Sequence, residues 1–195
     1  MKKLPKQLKL QISSKSVFQA SAPQAVGYWQ FILFMTILVF DQATKCTGYS
    51  VWVDGQLQNY GIIEVDDKTL TSIERIRAMR EKCIDIAERY RPEMICIEGV
   101  QYQNNQAVYS QLSQLQGAIM TIAFDKDIAL YIIPPTVWKG HCEIKGKKRA
   151  EQKENTIKMV RNLYGLEVSE DIADSIGIGR YVAETLILEN TKENN

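Results

Sequence analysis

Two short apolar runs, each closed by an acid, constrain this chain more than anything else in it. The run from Thr36 to Phe40 ends at Asp41, and the run from Met94 to Ile97 ends at Glu98. Short apolar runs without alternation fit strands buried on both faces, as in a sheet covered by helices on each side. Each run also delivers a carboxylate to the end of a buried strand, where its lost hydration needs compensation.

The neighbouring pattern extends this reading. Gly48 to Val53 and Tyr60 to Val65 read as strands, with Asp54-Gly55 as the hairpin turn signal near them. Ile73, Ile76, Cys83, Ala87 and Tyr90 recur at roughly helical spacing before Pro92. Val108, Leu112, Leu115, Ile119 and Ile122 step by four, three, four and three, marking an amphipathic helix. Ile128 to Ile133 reads as a fifth strand, stopped by Pro134-Pro135. A polar, basic segment follows, then a helix near 150–164 and a last helix from about Glu170 to Leu188, with Ile172, Ile176, Val182 and Leu186 inward. The order β-β-β-α-β-α-β-α-α predicts an α/β fold: a mixed five-stranded sheet, with three antiparallel opening strands then parallel ones, and helices on both faces.

Charge is unevenly sorted along the 195 residues. The net +1 hides five Lys and no acid in residues 1–34, against 19 basic and 23 acidic residues in 35–195, a net −4. A strongly basic nucleic-acid binder is excluded; any polyanion must meet a local patch. We read residues 1–34 as an extension dispensable for the fold, or a start-site artefact. A single domain spans 35–189, and 190–195 is a polar tail. A signal peptide fits poorly, because Ser13, Ser14, Lys15 and Ser16 interrupt the apolar stretch. The run from Ala25 to Phe40 is short for a membrane span, so no membrane partner is expected. Cys46, Cys83, Cys96 and Cys142 show no C-x-x-C spacing, which favours a reducing cytoplasm over a disulfide framework.

Asp171 and Asp174, three apart on the last helix, share a face among apolar and small residues. Two acids on a packing helix repel one another unless compensated. With Asp41 and Glu98 they make a set of hard oxygen donors suited to divalent cations, and two such ions serve phosphodiester hydrolysis. The alternative leaves Asp171 as a helix N-cap and Asp174 on the surface. Gly48 relieves crowding near these acids; nothing resembles a phosphate-binding glycine loop. His141-Cys142 lacks two further zinc ligands at suitable spacing.

The segments D-Q-A-T-K-C-T-G-Y at 41–49, I-C-I-E-G-V at 95–100 and D-I-A-D-S-I at 171–176 resemble RuvC-type Holliday junction resolvases. G-K-K-R-A-E-Q-K at 146–153 is similar to the phage-type and Gram-positive branch. Asn105, Leu112, Gln114 and Gly117 also fall at the family's offsets after the strand glutamate, and the likeness covers about 36–189. The resemblance implies an RNase H-like fold, a homodimer built through the helix near 107–124, and cutting of four-way DNA junctions with two Mg²⁺ or Mn²⁺ ions. Asp41, Glu98, Asp171 and Asp174 would be the catalytic metal ligands, with Asp41 shared, and Lys153 would stand near the scissile phosphate. The bland reading of the helix near 107–124 is that it only packs on the sheet. Where typical cellular members carry Phe, three residues after the strand glutamate, this chain has Gln101, with Tyr102 beside it.

Residues 139–161 hold eight basic residues against three acids. Lys139, Lys145, Lys147, Lys148 and Arg149 read as a clamp for the DNA backbone, with Gln101 and Tyr102 as further DNA contacts. Trp138 is either a base-stacking ring or core, and core is the commoner fate of such a residue. Two rival classes stay open: another RNase H-fold nuclease acting on branched DNA or structured RNA, and a non-catalytic DNA-binding module.

Overall fold

The computed structural model describes residues 35–192 except Gln103. The expected extension over 1–34 and the last three residues of the tail lie outside the described residues.

Five strands form one sheet in the order β3-β2-β1-β4-β5. β1 (Thr36–Asp41) pairs antiparallel with β2 (Cys46–Val53), which pairs antiparallel with β3 (Gln56–Glu64). Asp54 and Gly55 both take positive φ, which suits the twist of this hairpin. On its other side β1 pairs parallel with β4 (Met94–Glu98), and β4 pairs parallel with β5 (Ala129–Ile133). The expected mixed sheet is the one observed.

Strand alternation sorts the core into two layers. Leu38, Phe40, Ile95 and Ile97 face α1 (Ser72–Tyr90) and α2 (Gln106–Asp125), meeting Met79, Cys83, Leu115 and Ile119. Ile37, Val39, Met94 and Cys96 face the opposite layer, where Trp138, Val160, Ala173, Ile176 and Ile178 are buried. Local chemistry fixes the ends of these helices. Thr71 and Glu74 close a reciprocal capping box on α1, and Asn105 Oδ1 accepts from Val108 N–H on α2. The last strand and helices follow in order: α3 (Pro135–His141), α4 (Arg149–Tyr164), ended by Gly165 at φ 69, and α5 (Glu170–Lys192).

α3 is a correction. Pro134-Pro135 stops β5 as expected, but it also starts a helix. Pro135 sits at the first helical position, where its missing N–H costs nothing. Seven residues are too few to show a hydrophobic period, so the segment reads as merely polar and basic in sequence. α5 also runs further than expected, to Lys192. All four cysteines are free, and among the described residues no helix is long and apolar enough to cross a membrane.

α5 lies unusually close to the sheet. A Cβ on Gly48 would stand 1.9 Å from the carbonyl oxygen of Asp171, and one on Gly179 would stand 2.0 Å from Trp52 Nε1. Ser50 Oγ locks the contact by donating to the Ser175 carbonyl while accepting from Trp52 Nε1–H. Gly48→Ala is therefore expected to destabilise the fold by about 1–3 kcal/mol through overpacking against backbone. Gly140→Ala, where a Cβ meets nothing within 4 Å, is expected to be neutral or stabilising by up to about 1 kcal/mol. Chemical denaturation of the two variants checks the contrast.

Candidate active site

β1 and β4 run parallel with Phe40 opposite Ile97, so Asp41 and Glu98 leave adjacent strands at the same end of the sheet. In open α/β sheets that end is where ligands bind. The close seating of α5 brings Asp171 and Asp174 to the same place. All four carboxylates line one cleft of about 830 Å³. Neither bland reading of the helix pair survives. α5 begins at Glu170, so Asp171 lies inside its first turn rather than at the cap, and Asp174 is only 8% exposed.

The cluster is electrostatically strained. Burial pushes the Asp41 carboxyl well above the ordinary range, and Asp174, Glu98 and Asp171 add to it in that order, while Lys139 opposes them. Burial raises Asp174 to about 6; Lys139 pulls it down, Glu98 pushes it up, and the Thr156 hydroxyl and Lys153 pull it down. Asp174 Oδ1 is buried with no hydrogen-bond partner. Asp171 Oδ2 accepts from Cys46 Sγ at 3.3 Å, and that contact, after burial, raises the thiol to about 12.

A divalent cation fits this donor set. The four groups are hard oxygen donors, one buried oxygen lacks a partner, and the mutual repulsion is of the sign a cation reverses. As the side chains stand, no three His, Cys, Asp or Glu residues among the described ones are arranged to hold an ion. His141 and Cys142 point to no zinc: His141 Nε2 pairs with Glu184 at 2.6 Å, and Cys142 Sγ donates to the Gly177 carbonyl.

The basic residues divide into two groups. Lys139, Arg149 and Lys153 line the carboxylate cleft, as does Gln101. Lys153 pairs with Glu170. Lys145, Lys147 and Lys148 stand exposed on the loop outside that lining; Lys145 instead borders a separate groove of about 440 Å³ with Lys158 and Arg180. Tyr102 is 58% exposed and meets Tyr109 edge-on at 5.6 Å. Sequence reasoning missed four contributors. Lys45 and Arg75 add positive charge to the cleft lining, Cys46 meets Asp171, and Thr156 meets Asp174. Trp138, taken as core, is fully buried, yet its Nε1–H donates to Glu98 Oε1 at 2.9 Å. A helix start at Pro135 is the signal that would have put Trp138 and Lys139 one turn into a helix beside β4.

Comparisons with known proteins agree with this geometry. The family described as crossover junction endodeoxyribonuclease RuvC matches residues 37–180. A relative of that name from Hydrogenovibrio crunogenus is 32% identical over 146 residues, covering 72% of this chain and 82% of its own. Another, from Halothermothrix orenii, is 22% identical over 148 residues, covering 74% and 89%. Among solved structures, Thermus thermophilus RuvC in complex with a Holliday junction substrate superposes with a TM-score of 0.62 at 18% identity, covering 75% of this chain and 91% of that one. The yeast mitochondrial Holliday junction resolvase Ydc2 gives 0.56 at 14% identity, covering 77% and 78%. At these identities the two structures speak to the fold, which is the shared RNase H-like one. The family match spans both acid-tipped strands and the acidic turn of α5, and on that span the chain belongs to the RuvC family.

Proposed function

We propose that this chain is a structure-selective endodeoxyribonuclease that cuts four-way DNA junctions. One observation carries the reading: four carboxylates meet at the ends of adjacent parallel strands, in a cleft walled by Lys45, Arg75, Lys139, Arg149 and Lys153. Membership of this family implies dependence on a divalent cation. The finer assignment is ours: Asp41, Glu98, Asp171 and Asp174 would hold two ions, Mg²⁺ or Mn²⁺. When bound, such ions make water more acidic and offset charge on the leaving oxygen.

The protein's own groups do the rest. Water attacks phosphorus in line, the P–O3′ bond breaks, and the products carry 5′-phosphate and 3′-hydroxyl ends. Lys153 and Lys139 bring ammonium charge to the scissile phosphate, since both already act on Asp174. Arg149, with Lys145, Lys147 and Lys148 on the adjoining loop, grips backbone phosphates further along the strand, contacts that position DNA without reading its sequence. Gln101 lies in the cleft lining and Tyr102 is exposed, and we assign both to contacts near the branch point.

A four-way junction needs two cuts related by a two-fold axis, which a symmetric dimer supplies. α2 buries Leu115, Ile119, Ile122 and Ala123 on its inner side, while on the opposite side Phe124 is exposed and Gly117 is open. That outward face is our dimer surface. Gly117→Arg, where a Cβ meets nothing within 4 Å, is expected to leave a folded monomer; light scattering that still reports a dimer contradicts the assignment.

Asp41→Asn is expected to reduce cutting by at least about a thousandfold, in keeping with loss of metal-centred catalysis, while junction binding persists. The assay compares a four-way junction, a flap, a linear duplex and an RNA hairpin, with and without Mg²⁺. Preference for the flap or the hairpin favours a different RNase H-fold nuclease, and absence of Mg²⁺-dependent cutting of every substrate favours the non-catalytic module.

The same cluster has a cost in the metal-free protein. Asp174 holds its proton more tightly folded, at about 6, than at the ordinary 3.8. The folded state therefore binds more protons between these values, and stability falls as pH rises through them. The full penalty is present at pH 7. Asp174→Asn is expected to raise metal-free stability at pH 7 by on the order of 2 kcal/mol, about 4–8 °C in Tm, and by about half as much at pH 5. Thermal melts in EDTA at the two pH values measure it; a variant less stable than the parent at pH 7 contradicts the strain.

A further inference from the structure

α3 does more than connect β5 to the basic loop. Trp138 is the one large side chain it buries completely, and three separate contacts fix that ring. Its Nε1–H donates to Glu98 Oε1 at 2.9 Å. One edge lies flat against α5 at Gly177, where even a Cβ would come within 2.5 Å of the ring. The Lys139 ammonium stands 5.1 Å from the ring centroid, within the range of a cation–π contact. One indole thus touches the carboxylate that closes β4, the helix that carries Asp171 and Asp174, and the lysine that opposes the charge of Asp41 and Asp174.

We infer that Trp138 is a positioning residue for the metal site: it holds Glu98 by one oxygen, so that the other is presented to the cation, and it seats Lys139 beside the cluster. The argument is physical. A carboxylate at a strand end has two freely exchanging oxygens and several rotamers. A donor buried on one side removes that freedom before any ion arrives. Carboxylates that ligate metals are commonly held this way, and loss of the holding group typically lowers metal affinity 10–100-fold. Only Trp among the large apolar residues fills this space and supplies a donor. Phe would fill most of the space and donate nothing.

The inference rests on the metal-site reading above, and the test separates the two. Trp138→Phe is expected to weaken Mg²⁺ or Mn²⁺ binding, measured by calorimetry on the DNA-free protein, about tenfold, and to raise the Mg²⁺ concentration for half-maximal junction cutting by a similar factor. Cutting at saturating Mg²⁺ is expected to stay within a few-fold of the parent. Because Trp138→Phe disturbs packing, a second measurement leaves the tryptophan in place. In the metal-free parent the Trp138 indole ¹H–¹⁵N resonance should lie downfield, and Glu98→Gln should move it upfield. Metal affinity unchanged in Trp138→Phe, or an indole resonance indifferent to Glu98→Gln, overturns the positioning role. Metal affinity unchanged in Asp41→Asn overturns the metal-site reading itself.

Discussion

The site depends on how closely one helix can approach one strand. A side chain at position 48 would collide with the backbone of α5 at Asp171, and any at 179 would collide with Trp52. Glycine at both positions lets the helix settle onto β2 and β1 rather than stand off at the usual distance of side-chain packing. Each ångström matters here, because Asp171 and Asp174 come from the helix while Asp41 comes from the strand. Without the close contact the carboxylates would face one another across a packed layer instead of sharing a cleft. Gly48 also pairs directly with Asp41 in the sheet register, so the residue that admits the helix is the cross-strand neighbour of the acid it serves.

The parallel pairing of β1 with β4 supplies the second half of the arrangement. It brings two strand ends together on one edge of the molecule, and the residues leading to them, Ile37 to Phe40 and Met94 to Ile97, are apolar and buried on two faces. That core anchors Asp41 and Glu98 rigidly. Burial at this edge of the core is the first cause of the raised Asp41 and Asp174 carboxyls. The fold gains its two-sided core and accepts a strained cluster at the core's edge. Strain of this kind persists where a function uses it.

Much of this was legible in the chain. The acid-tipped apolar runs mark the central strands because a fully buried strand needs no alternation, and the four, three, four, three spacing marks α2 because a helix turn leaves few other ways to bury such a stripe. The role of Gly48 in relieving crowding was also readable, from its place seven residues after Asp41. What was not legible depends on contacts across the fold. Trp138 meets Glu98 forty residues away, and no local pattern distinguishes an indole that packs from one that packs and donates. Lys139 belongs in sequence to a run of bases, yet it lies against the carboxylates while Lys145, Lys147 and Lys148 remain on the loop. The helix that carries Lys139 is seven residues long, too short to announce itself by period.

That division also bears on why the cluster calls for cations at all. Lys139 and Lys153 both lower Asp174, and Lys139 lowers Asp41. Of the two lysines that act on Asp174, Lys153 is already paired with Glu170, so little of their charge is left to offset four carboxylates. Lys145, Lys147 and Lys148 stand further out on the loop, where a phosphate backbone could meet them. The lysines thus relieve enough repulsion for the cluster to fold and leave a negative balance within it. A divalent ion satisfies that balance at short range with oxygen ligands, which a flexible ammonium on a four-carbon stem does less well. The near-zero net charge of the chain is the sum of these opposed local imbalances, and the imbalance, not the sum, is what a metal ion and a DNA strand would each encounter.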